Sequence, residues 1–121
     1  MRTVLIVEDD PDIALMMSVT LRLAGNEVAI APSGEDALAR LRRQAPSVLI
    51  LDLGLPGIGG REVLRQVRSD HALHRLPVVV VSAHAGSPTI QDISALGCDR
   101  YLTKPFDPKE LVKAVAALPA A

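Results

Sequence analysis

Asp52 ends the apolar run Val48-Leu49-Ile50-Leu51 and stands just before a glycine-rich loop. Three other stretches have the same form. Val4-Leu5-Ile6-Val7 runs into Glu8-Asp9-Asp10, Val78-Val79-Val80-Val81 into Ser82, and Tyr101-Leu102-Thr103 into Lys104. Apolar runs of this length, bounded by polar residues, read as buried parallel strands. Open α/β sheets hold their ligands at the carboxyl ends of such strands. Each polar group ends its own strand, so all of them can converge on one rim of one sheet.

Glu8, Asp9 and Asp52, brought together without a partner, would repel until one took up a proton. A bound cation removes that conflict. The ligand atoms are all oxygen, which points to a hard divalent ion, Mg²⁺. Two carboxylates and a backbone carbonyl leave room for water and a phosphoryl oxygen, an arrangement suited to phosphoryl transfer. Lys104 adds a mobile positive charge and Ser82 a hydroxyl donor, and together with the ion they can hold the outer oxygens of a phosphoryl group on Asp52. A carboxylate accepts such a group as an acyl phosphate, which water removes again.

Strand-length runs alternate with stretches of helical period, which predicts βαβ units and a parallel sheet. Asp10 is expected to cap the first helix, with Pro11 at its first position. Ile13, Met17, Leu21 and Ala24 follow at helical spacing, and Gly25-Asn26 ends the helix. Val28 and Ile30 make the second strand. Ser33 caps a second helix buried through Ala37, Leu38 and Leu41. Val63, Leu64 and Val67 mark a third. A short helix is expected from about Thr89 to Leu96, closed by Gly97. A last helix begins at Pro108 with Leu111, Val112 and Val115 on one face. The expectation is five strands and five helices in a single domain.

Composition narrows the function. The 121 residues fit one domain, and 49% are apolar, enough for an ordinary core. One Tyr, one Phe and no Trp make base stacking on single-stranded nucleic acid a poor fit. The net charge is −1 with both signs interspersed, so no direct nucleic-acid contact is expected. The single cysteine, Cys98, excludes an internal disulfide and suits a reducing, cytoplasmic setting, where it reads as a small core residue. No signal peptide and no membrane span are read. His71 and His74 read as surface loop residues. Gly57-Ile58-Gly59-Gly60-Arg61-Glu62 begins like a dinucleotide loop, but its last position is Glu62 and it follows the third strand, so that reading fails. No P-loop occurs.

The chain resembles a receiver domain of the two-component response regulators. The matching pieces are Val7-Glu8-Asp9-Asp10, Leu51-Asp52-Leu53-Gly54-Leu55-Pro56-Gly57 with Gly60, Val81-Ser82-Ala83, and Tyr101-Leu102-Thr103-Lys104-Pro105-Phe106. The resemblance implies a flavodoxin-like, doubly wound sheet of order 2-1-3-4-5, residues 1–121 forming one receiver domain with no effector domain. It implies that Asp52 is the phosphoacceptor and that Asp9, Asp52 and the Gly54 carbonyl bind Mg²⁺, with Glu8 acting mostly through water. Lys104 would pair with the phosphoryl group and precede a cis peptide bond to Pro105. Ser82 would move toward the phosphoryl oxygens, with Tyr101 as the aromatic switch coupled to it. The donor would be a phosphohistidine on a sensor histidine kinase or phosphotransfer protein. A phosphorylation-dependent homodimer is a further implied partner, although Arg100 and Ala114 replace an acidic residue and an arginine of the dimer contact in the winged-helix subfamily. Gly54 is smaller than the usual residue two after the acceptor, and it and His84, two residues after Ser82, bear on dephosphorylation; Gly86 and Pro88 make the segment after the fourth strand unusual.

Two rival classes remain at this stage. A haloacid-dehalogenase-like phosphatase also forms an aspartyl phosphate, but needs a second Asp where this chain has Gly54. A phosphorylation-independent interaction module would have no use for an intact acidic rim.

Overall fold

A computed structural model describes residues 2–83, 95 and 97–119. Strands β1 (Thr3–Val7), β2 (Glu27–Ala31), β3 (Val48–Asp52), β4 (Val78–Ser82) and β5 (Arg100–Thr103) form one five-stranded sheet. Its order is β2-β1-β3-β4-β5 and each neighbouring pair is parallel. Four helices are seen among the described residues: α1 (Pro11–Leu23), α2 (Gly34–Arg43), α3 (Gly60–Ser69) and α4 (Pro108–Ala116). The helix expected across Thr89 to Leu96 falls, apart from Ala95, outside the described residues, as do His84, Gly86 and Pro88.

The strands sort their side chains with period two. Leu5, Val7, Leu49, Leu51, Val78 and Val80 pack with α2 and α3 on one face. Val4, Ile6, Val48, Ile50, Val79 and Val81 pack with α1 and α4 on the other. A sheet covered on both faces leaves its strand ends as the one place where polar groups reach solvent, which is why the polar residues collect there.

The helix boundaries follow local chemistry. Asp10 Oδ1 accepts the amides of Asp12 (2.9 Å) and Ile13 (3.3 Å), with Pro11 in the first turn. Ser33 Oγ accepts the Asp36 amide at 3.1 Å. Gly25 takes φ +94° after α1, the left-handed conformation that favours glycine. Two expected positions are corrected. In α4 the buried face is Leu111, Ala114 and Val115, and Val112 is half-exposed. Positions three and four residues apart share a face, whereas neighbours are about 100° apart, so Leu111 selects Ala114 and Val115 instead. Ala24, expected in the α1 stripe, is exposed because it already stands at the cap.

Arg68, in the last turn of α3, ties three segments together. Its guanidinium donates to the carbonyls of Gly97 (2.7 Å), His74 (3.1 Å) and Leu76 (2.7 Å) and to Asp99 Oδ2 (3.2 Å). Asp99 Oδ2 also accepts the Val78 amide at 2.8 Å, so the entry to β4 and the approach to β5 are fixed together.

Candidate functional site

The strand ends deliver the acidic residues to one place. β1 is prolonged by one further sheet bond, Glu8 N–H to Ala31 O at 3.2 Å, which holds the Glu8 backbone at the rim. Asp52 is the last residue of β3, and the next amide, Leu53, donates to Val81 O at 3.1 Å. One ligand oxygen each from Glu8, Asp9 and Asp52 can be chosen so that all lie within 4.8 Å of one another. Glu8 and Asp52 are buried, at 2% and 6% exposure, and Asp9 is exposed.

Lys104 arrives from the end of β5. Its amide donates to Ser82 O at 2.8 Å, which sets the side chain beside β4. Its ammonium Nζ then donates to Glu8 Oε1 at 2.7 Å and to Asp52 Oδ2 at 3.2 Å. The Lys104–Pro105 peptide is cis, as expected. The other Asp52 oxygen, Oδ1, accepts the Gly54 amide at 2.9 Å. Gly60 has a steric reason. A Cβ there would sit 2.3 Å from Asp52 O and 2.8 Å from Leu53 Cα, so only glycine lets α3 begin against the backbone of Asp52 and Leu53.

Electrostatics follow from burial. Three carboxylates against one ammonium leave two surplus negative charges. Burial raises the Glu8 pKa; the hydrogen bond from Lys104 opposes this, and neighbouring Asp52 reinforces it. Burial works against the Lys104 ammonium, yet the hydrogen bond to Glu8 and the charges of Asp52 and Glu8 outweigh it, so its pKa is raised. The donor set therefore fits a single hard divalent ion on two grounds. It is all oxygen, and its surplus charge equals that of one such ion.

Glu8, Asp9, Asp52 and Lys104 are thus brought together, with Gly54 bonded to Asp52. Ser82 is buried (7% exposed) at the neighbouring strand end. Tyr101 is half-buried and packs, with half-buried Cys98, against the cluster on the α2–α3 side. Burial raises the Cys98 thiol pKa, as suits a packing residue. His71 and His74 are exposed. The direct Lys104–Glu8 pair was not among the sequence expectations. Its only local signal is that both residues follow strands.

Comparison with known proteins agrees with this geometry. The family described as "Response regulator receiver domain" matches residues 4–116, and the chain belongs to it. It is 38% identical to the DNA-binding response regulator MtrA of Mycolicibacterium smegmatis, over 94% of this chain and 49% of MtrA. The chain thus spans about half the length of such curated relatives. A crystal structure of a response regulator from Chloroflexus aurantiacus matches with TM-score 0.87 and 39% identity, covering 94% of this chain and 93% of that one. TrrA of Thermotoga maritima, solved in complex with Mg²⁺–BeF, matches with TM-score 0.84 and 30% identity, covering 96% and 97%. No helix among the described residues is long and apolar enough to cross a membrane.

Proposed function

We propose that Asp52 accepts a phosphoryl group from a phosphohistidine of a sensor histidine kinase or phosphotransfer protein, and that the resulting charge switches the domain between two states. The observation that carries this is the Asp52 carboxylate itself, buried at a strand end, with Lys104 Nζ at 3.2 Å and two further carboxylates beside it. Asp9, Asp52 and the Gly54 carbonyl would hold Mg²⁺, with Glu8 contributing through water. When bound, the ion would neutralise charge on the phosphoryl oxygens. TrrA with Mg²⁺–BeF supports this assignment by likeness.

An Asp52 oxygen attacks phosphorus, the bond from phosphorus to the donor imidazole nitrogen breaks, and the imidazole leaves with that electron pair. Lys104 pairs with one phosphoryl oxygen and Ser82 donates its hydroxyl to another. Tyr101 reports the change to the face around β5, α4 and the helix expected between β4 and β5, which lies outside the described residues. Moving the two states from 1:99 to 99:1 takes about 5.5 kcal/mol of differential stabilisation. Attack of water on phosphorus then breaks its bond to the Asp52 oxygen, releasing inorganic phosphate and restoring the carboxylate, so the chain resets itself rather than turning over a substrate. The donor would meet α1, which starts beside the site and carries Leu15, Val19 and Leu23 exposed in a four-residue repeat. A cytoplasmic setting suits that donor, and nucleic-acid contact by this stretch is not part of the reading. A homodimer of the phosphorylated form is a secondary part of it.

The test is phosphoryl incorporation from a phosphorylated donor in the presence of Mg²⁺, followed by intact-mass measurement. Wild type should gain one phosphoryl group, and Asp52→Asn should gain none. Equal incorporation by the Asn variant would move the acceptor elsewhere.

A further inference from the structure

The β3–α3 loop, residues 53–59, carries Gly54 and is gripped from outside the site. Ser33 caps α2 through its bond from the Asp36 amide (3.1 Å), which fixes Gly34 as the first helical residue. Gly34 is buried, and a Cβ there would lie 2.7 Å from Ile58 Cγ1, 2.9 Å from Val63 Cγ2 and 3.0 Å from Ile58 O. Ile58 therefore occupies the space that any side chain at 34 would take. The next residue repeats the contact. The carboxylate of Glu35 covers Gly57, with Oε2 and Oε1 at 3.1 and 3.4 Å from where a Gly57 Cβ would project. Gly57 itself has φ +72°, so the turn also depends on glycine. The far end of the loop is pinned by Gly60 against Asp52 O. Gly54 lies in the same loop, four residues before Ile58, and is bonded to Asp52 Oδ1.

We propose that Gly34 is a positioning residue for the acidic rim: by seating Ile58 it fixes the loop that carries Gly54, and so sets how tightly the site holds Mg²⁺. This rests on the Mg²⁺ reading above. Groups that orient metal ligands without touching the ion typically change affinity by about 10–100-fold.

The experiment is a Mg²⁺ titration of the whole chain, followed by the amide resonance of Gly54, together with thermal unfolding. Gly34→Ala is expected to lose about tenfold in Mg²⁺ affinity and to shift the Gly54 amide even before metal is added. Ile58→Ala removes the contact without crowding, and should weaken binding in the same direction where Gly34→Ala folds poorly. In the double variant the tightest contact of the new methyl, Ile58 Cγ1 at 2.7 Å, is gone while Val63 Cγ2 and Ile58 O remain, so binding should be tighter than in Gly34→Ala alone. A lower melting temperature with wild-type Mg²⁺ affinity in the folded variants would give Gly34 a packing role only and overturn the proposal. A wild-type chain that binds no Mg²⁺ would overturn the metal reading along with it. Normal wild-type binding with both single variants unchanged would overturn this proposal alone.

Discussion

The two rims of the sheet carry charge in opposite ways. At the carboxyl ends of the strands, Glu8 and Asp52 are buried and share one lysine. Toward the amino ends of β1 and β2 an open groove of about 990 Å³ is lined by Arg22, Arg40 and Arg43. There Arg40 and Arg43 are exposed in the last turn of α2, where cations complement the helix end, and Arg22 donates to Val28 O on the edge strand at 3.1 Å. That groove is at the rim where exposure and helix ends already satisfy the charge. The proposed chemistry is at the rim where burial leaves charge unbalanced.

Lys104→Met tests the comparison at its strongest point. It leaves buried Glu8 and Asp52 without their cation, and should cost about 3 kcal/mol in the metal-free domain, measured by denaturant unfolding. Mg²⁺ should then raise the melting temperature of the variant more than that of wild type. The matched change at the other rim, Arg40→Gln with Arg43→Gln, should stay within about 0.5 kcal/mol and leave Mg²⁺ affinity unaltered. A large loss there, or none at Lys104, would erase the distinction.

A smaller effect is expected at the exposed pair on α3. Hydrogen bonds from Arg65 and then Gln66 lower the Glu62 pKa to about 2. A carboxylate depressed in the folded state stabilises above its unfolded value, and that contribution is lost as pH falls toward about 2. The wild type should therefore lose its slight advantage over Glu62→Gln as acid is added, followed by unfolding midpoints across that range. Because solvent screens this pair, the difference should be far smaller than at Lys104.

The same contrast explains what could be read from the sequence. Glu8, Asp9, Asp52, Ser82 and Lys104 each follow an apolar run, so strand pattern and the rule for open sheets together placed them on one rim. Caps were legible at Asp10 and Ser33 because they act within three residues. The capping box of Asp107 and Glu110 is equally local and was open to the same reading, yet Pro108 alone drew attention. The Ile58 seat on Gly34 and the bonds of Arg68 to Gly97 and Asp99 were not legible. They join residues about 24 and about 30 positions apart, and no periodicity encodes which glycine will meet which side chain. In α4 Leu111 and Val115 were legible, but the apolar Val112 fitted the run in place of Ala114.

The most direct measurement is the amide spectrum of the chain with Mg²⁺ and beryllofluoride, a stand-in for the phosphoryl group. If the buried carboxylate of Asp52 takes up the group and Ser82 and Tyr101 respond, the amides of both residues shift in wild type and stay unmoved in Asp52→Asn. An undiminished response in the Asn variant, or none in wild type, would contradict Asp52 as the switch.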